Sequence, residues 1–222
     1  MPSSGHASVA PSAPLDAYQK ALRAHFAPAL DLDGWWPGRS RFEVIAGAIL
    51  VQNTAWTNAA LALAALRRAR RLTLAGVRGL SEAELGELIR GAGFWRQKAR
   101  CLRGFVAWLD AAHGGSLARM FAQPTAALRP QLLDLRGIGE ETADAILLFG
   151  GNHPSFVMDA YTRRILRRHG LPASKAWVEG QLAADARGYR HLHALLVETA
   201  KRFCRKQAPA CGGCPLAEWL PS

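Results

Sequence analysis

The chain has 222 residues, half of them apolar, enough for one large domain or two small ones around a substantial core. No apolar run approaches the roughly 20 residues of a membrane-spanning helix, so such a helix is excluded. Lys and Arg total 28 against 17 Asp and Glu, a net charge of +11 with a pI near 10.4, and this surplus favours a polyanionic partner, most often nucleic acid, over a merely solvated basic surface.

The opening MPSSGHASVAPSAPL lacks both a basic start and an apolar block. It reads as a disordered tail over residues 1–14 rather than a secretory signal, and the expected location is cytoplasmic. From there on, nearly every segment carries a helical pattern. RFEVIAGAILVQN (41–53) is apolar at Phe42, Ile45, Ala46, Ile49 and Leu50, the 3.6-residue period. TAWTNAALALAALRRARR repeats it, and SEAELGELIRGAG opens on a Ser cap and closes on glycine. RQKARCLRGFVAWLDAAHGG and PTAALRPQLLDL follow. Past the Gly- and Pro-bearing FGGNHPSF (149–156) come DAYTRRILRRHG, KAWVEGQLAADARG and YRHLHALLVETAKRFC. No alternating strand pattern or internal repeat occurs, so the expected fold is all-α. FGGNHPSF is the expected crossing between two helical lobes. One spans 41–150; the other joins 15–40 to 151–222.

Two helices joined through LRGIGEE form a helix-hairpin-helix candidate. Gly137 and Gly139, flanking Ile138, allow positive φ and leave backbone N–H groups at the start of the next helix, where a phosphate can bind without its sequence being read. An ordinary tight turn is the alternative. Twenty residues past Gly139 stands Asp159, which on its own reads as a helix N-cap worth about 1 kcal/mol.

Together, LRGIGEETADAIL and VMDAYTRRI resemble the hairpin, Gly/Pro-rich loop and aspartate of the helix-hairpin-helix (endonuclease III) superfamily of DNA glycosylases. ILVQNTAWTN and GFWRQKAR are similar to further blocks of that superfamily, so the resemblance covers roughly residues 30–216. It implies a two-lobed all-α fold with a DNA cleft between the lobes, and Asp159 as the catalytic carboxylate. It further implies a monomer acting on double-stranded DNA that contains a damaged base, with no membrane partner. Bifunctional members carry an imine-forming lysine where this chain has Glu141, and a carboxylate forms no Schiff base. The expected activity is therefore base hydrolysis without AP lyase activity.

WWPGRSRFEVIAGAILVQNTAW and GFWRQKA are most similar to the 3-methyladenine glycosylase branch, which implies Trp35, Trp36 and Trp56 as base-pocket residues. A cationic alkylated purine suits aromatic faces; packing is the alternative for all three. Gln52 takes the position of the glutamine that fills the gap left by a flipped base, and Phe94 that of an apolar wedge; plain packing is the alternative for both.

Cys204, Cys211 and Cys214 crowd the C-terminal end while Cys101 stands apart, a pattern that suggests metal more than disulfides in a reducing compartment. Cys-x6-Cys-x2-Cys matches the first three ligands of the superfamily's [4Fe–4S] loop. The fourth falls at Leu220, so the fourth ligand is unknown. A cluster with an unusual ligand, a labile three-thiolate site and no metal all stay open. Two other functions compete: a glycosylase for oxidised pyrimidines or mismatched thymine and uracil, and a non-catalytic DNA-damage-binding protein.

Overall fold

The computed structural model describes residues 15–26 and 29–221; the tail expected over 1–14 lies outside them. All regular structure among the described residues is helical, and no helix among them is long and apolar enough to cross a membrane. The chain forms two compact units. One is continuous, Trp36–Val157; the other combines Met1–Trp35 with Met158–Ser222.

The composite unit begins with α1 (Leu15–Phe26), which buries Tyr18, Leu22 and Phe26 along one face. The chain then enters the continuous unit, whose centre is α2 (Arg41–Leu50). Ser40 starts this helix by accepting the Glu43 N–H, and every residue from Phe42 to Leu50 is buried. A helix covered on all sides is a core helix, and α2 packs against α3 (Trp56–Arg68), α6 (Trp95–His113) and α9 (Glu140–Ala145). Between them, Thr73 caps α4 (Leu74–Arg78), and Ser81 forms a reciprocal capping box with Glu84 at α5 (Glu82–Leu88). Ser116 caps α7 (Leu117–Phe121), and α8 (Thr125–Leu133) leads into the hairpin. Past α9 the chain winds wider, into a π-helical turn over Ile146–Gly150.

The chain returns to the composite unit at Met158. There α12 (Ala186–Arg202) packs against both α1 and α10 (Ala160–Arg168). The sequence pattern runs one helix across 175–188, but α11 (Lys175–Gly180) stops early. The Asp185 carboxylate accepts the Arg187 and Gly188 N–H groups and restarts the chain as α12. A strong cap placed three residues before a glycine overrides the glycine as a stop signal.

Candidate DNA-binding and catalytic site

In the continuous unit the hairpin occupies residues 134–139. Gly137 has φ of +92°, and a Cβ there would lie 3.2 Å from the Cβ and Sγ of Cys101. Both the backbone angle and the close approach demand glycine. Ile138 is buried beneath the turn. Gly139 is the N-cap of α9 and supplies no side-chain cap, and the helix N-terminus faces the turn. A Cβ on Gly139 would meet nothing within 4 Å. Glu140 and Glu141 follow, both exposed. They suit the positive end of the helix dipole, though they lower the positive potential beside any phosphate. Burial pushes the Cys101 thiol up to about 11, so this cysteine is an inert packing residue under the hairpin.

Gln52 reaches the hairpin directly. Its Nε2 donates to the Gly137 carbonyl at 2.8 Å and to Thr142 Oγ1 at 2.9 Å, which spends both amide protons. Phe94 stands at the head of α6 with φ 47° and ψ 31°, left-handed, after Gly93 at φ 64° and ψ 158°. Its ring is 64% exposed. An aromatic residue both strained and in water is a candidate functional position, because neither property stabilises the fold.

Sequence reasoning gave Lys98 no role, yet it ties these two segments together. It is 2% exposed and donates from Nζ to the Leu50 carbonyl at 2.9 Å and the Ala92 carbonyl at 2.7 Å. One contact closes the end of α2 before the Gln52 turn; the other holds the turn that presents Phe94. Burial lowers the Lys98 pKa, and the two carbonyls offset its desolvation.

Trp36 and Trp56 come together edge to face at 5.6 Å, and Phe149 stacks on Trp36 at 4.6 Å and 29°. Gly47 of α2 underlies both tryptophans, its absent Cβ falling 3.4 Å from Trp56 and 3.6 Å from Trp36. Phe149 rides on the π-helical turn, which no sequence pattern announces. Trp35, although adjacent in sequence, belongs to the composite unit. Its Nε1 donates to Glu198 at 3.4 Å, its ring meets His193 edge-on, and the Lys201 ammonium lies 5.7 Å from its centroid.

Asp159 is the N-cap of α10 and is 7% exposed. Its Oδ1 accepts the Thr162 N–H at 2.7 Å, and Oδ2 takes no hydrogen bond among the described residues. Cap and reactive carboxylate are thus compatible: one oxygen fixes the group and the other stays available. The far end of the same helix grips the cysteine loop. Arg164 Nε donates to the Cys204 carbonyl at 2.6 Å, and Arg168 donates to Cys204 Sγ at 3.2 Å and to the Arg205 and Lys206 carbonyls.

Cys204, Cys211 and Cys214 line one recess, and Leu220 and His169 line it too. Burial raises the Cys214 thiol pKa and its neighbours Cys204 and Cys211 raise it further, against a Leu216 backbone hydrogen bond. Cys101 is not part of this recess. No group of three or more His, Cys, Asp or Glu among the described residues is set to hold a single metal ion.

Comparison with known proteins bears on the family and the fold. The family of HhH-GPD superfamily base excision DNA repair proteins matches residues 46–182. A Methanocaldococcus jannaschii protein described as a DNA repair glycosylase is 40% identical over 197 residues, 85% of this chain and 89% of its own. Endonuclease III of Sulfolobus acidocaldarius is 24% identical over 82% of each chain. Among solved structures, the H. pylori 3-methyladenine DNA glycosylase bound to 1,N6-ethenoadenine aligns with a TM-score of 0.73 at 25% identity, covering 84% of this chain and 96% of that one. An endonuclease III–DNA complex has the same fold, with a TM-score of 0.73 at 21% identity over 93% of both chains.

Proposed function

The chain belongs to the HhH-GPD superfamily of base excision DNA repair proteins and is a DNA glycosylase; within that family we propose a monofunctional enzyme that releases alkylated purines such as 3-methyladenine and leaves the strand intact. The observation that carries this reading is the combination of Asp159, anchored through one oxygen, with Glu141 where an imine-forming amine would stand.

The target base must leave the stack before any group can reach its sugar. Phe94 is suited to wedge into the stack, and Gln52 to occupy the space left behind. The hairpin and the start of α9 hold a backbone phosphate without reading sequence. Trp36 and Trp56, extended by Phe149, offer faces to a cationic purine. As the glycosidic bond breaks, the base takes the bonding electrons and positive charge grows on the sugar. The free Oδ2 of Asp159 stabilises that charge and accepts a proton from the water that attacks C1′. An alkylated purine already carries a positive charge and departs neutral, so no general acid is required. Glu141 has no amine with which to attack C1′, and the product is an abasic site.

A [4Fe–4S] cluster is the cofactor we assign to the cysteine recess. The donor set supports it: three thiols at the family's spacing share one recess with an imidazole, and the Arg168 N–H on Cys204 Sγ compensates thiolate charge. The thiols are not set around one metal ion, so the assignment rests on their spacing in sequence and their shared recess. When bound, the cluster supplies a rigid cross-link between the 204–214 loop and α10, the helix that starts at Asp159.

A panel of duplexes, each with one alkylated, oxidised or mismatched base, tests the reading with and without alkali. Scission of the alkylated-purine duplex only after alkali supports it. Turnover confined to oxidised pyrimidines or mismatched thymine and uracil moves the substrate to the competing class. Tight binding without turnover on any duplex makes the protein a damage-binding module.

A further inference from the structure

We propose that His169 is the fourth ligand of the cluster, coordinating through Nε2 in place of the absent cysteine at position 220. The inference rests on the cluster reading above and names the donor that reading lacks.

The recess limits the choice. Besides the three cysteines, its lining offers His169, Thr199 and Arg168 as residues with side-chain nitrogen or oxygen. Thr199 is fully buried and its hydroxyl donates to the Leu195 carbonyl at 2.7 Å. Arg168 has no lone pair to give. That leaves the imidazole.

The hydrogen bonds of the ring leave one of its nitrogens unspent. His169 Nδ1 lies 3.2 Å from the Trp219 carbonyl oxygen and 2.9 Å from the Tyr18 hydroxyl, while Nε2 makes no hydrogen bond among the described residues. A carbonyl oxygen only accepts, so Nδ1 carries the proton and Nε2 keeps its lone pair. This is the tautomer that metal-ligating histidines adopt, with the second nitrogen donating to a carbonyl. The carbonyl belongs to Trp219, the residue just before Leu220. The backbone at the vacant ligand position thus holds the substitute donor. Tyr18 is 1% exposed and packs its ring 5.2 Å from that of Trp219, which fixes the arrangement from a second side. Exchanging a thiolate for a neutral imidazole makes the site one negative charge poorer, and His ligation raises the potential of an iron–sulfur centre.

The test uses full-length protein purified anaerobically, with iron and sulfide assayed first. In protein carrying isotopically labelled histidine, pulsed electron paramagnetic resonance of the reduced cluster should show a strongly coupled imidazole nitrogen. That coupling should vanish in His169→Cys, with iron content kept and the reduction potential lowered. His169→Ala should lose one iron readily in air, whereas Leu220→Ala should not. Should His169→Ala fail to fold, the labelled wild type and His169→Cys still decide the matter. A full cluster without histidine coupling, or a potential unmoved by His169→Cys, overturns the ligand assignment while leaving the cluster in place. Protein free of iron and sulfide overturns the cluster reading itself, and the ligand with it.

Discussion

Replacing Asp159 by Asn and by Ala separates its helix-capping role, seen in the structure, from the catalytic role we propose for it. The Asn carbonyl oxygen can accept the Thr162 N–H that Oδ1 now accepts at 2.7 Å. Asn and Asp are nearly equal as N-caps, so Asp159→Asn should keep its unfolding free energy within about 0.5 kcal/mol of wild type. The Ala variant loses the cap bond at a site 7% exposed. It should be destabilised by about 1 kcal/mol, near 2–4 °C in Tm for a chain of this size. Catalysis should not follow that pattern. Both variants lose the negative charge that the proposed mechanism sets against the sugar, and single-turnover base release should fall by about 100-fold or more in each. Duplex affinity of the Asn variant should stay within a few-fold. Denaturation, base release and binding measured on the same preparations decide the question. Near-normal release by Asp159→Asn would refute the reasoning and reduce Asp159 to a helix cap.

Borohydride should trap no covalent DNA adduct with the wild-type protein, because Glu141 cannot form an imine; Glu141→Lys is the variant in which trapping should rise above that baseline on the same gel. Gly139→Ala should leave thermal unfolding unchanged, since its Cβ meets nothing, yet weaken duplex binding by crowding the phosphate. Gly137→Ala, with positive φ and Cys101 at 3.2 Å, should lower Tm; equal effects from the two would contradict the hairpin assignment. Phe94→Gly should hold stability or raise it by up to about 1 kcal/mol by relieving a left-handed aromatic, while base release from duplex DNA drops. Loss of stability with full activity would make Phe94 a packing residue. Duplex affinity should fall steeply between low and physiological salt as arginines and hairpin amides displace counterions, and a flat dependence would make the +11 charge a solubilising surface.

What the sequence disclosed was local, and what it withheld was tertiary. Gly137, Gly139 and Asp159 were legible because turn glycines and caps act on backbone within a few residues. The apolar period of α2 marked a core helix for the same reason. Lys98 was opaque, because its value lies in carbonyls 48 and 6 residues away, one of them reached only after folding. His169 reads as the basic end of an amphipathic helix until the Trp219 carbonyl, 50 residues on, turns its ring. Phe149 was missed because a π-helical turn shifts its side chain off the ordinary helical register. Trp35 and Trp36 look equivalent in sequence, yet these two pack into different units.

The most direct test of the account is a single-turnover reaction on methylated duplex DNA in which released base and strand breaks are counted in the same sample. The account predicts free 3-methyladenine, an intact strand before alkali, and breaks equal to the base released after alkali. Breaks that appear without alkali, or no release of any alkylated purine, would contradict it.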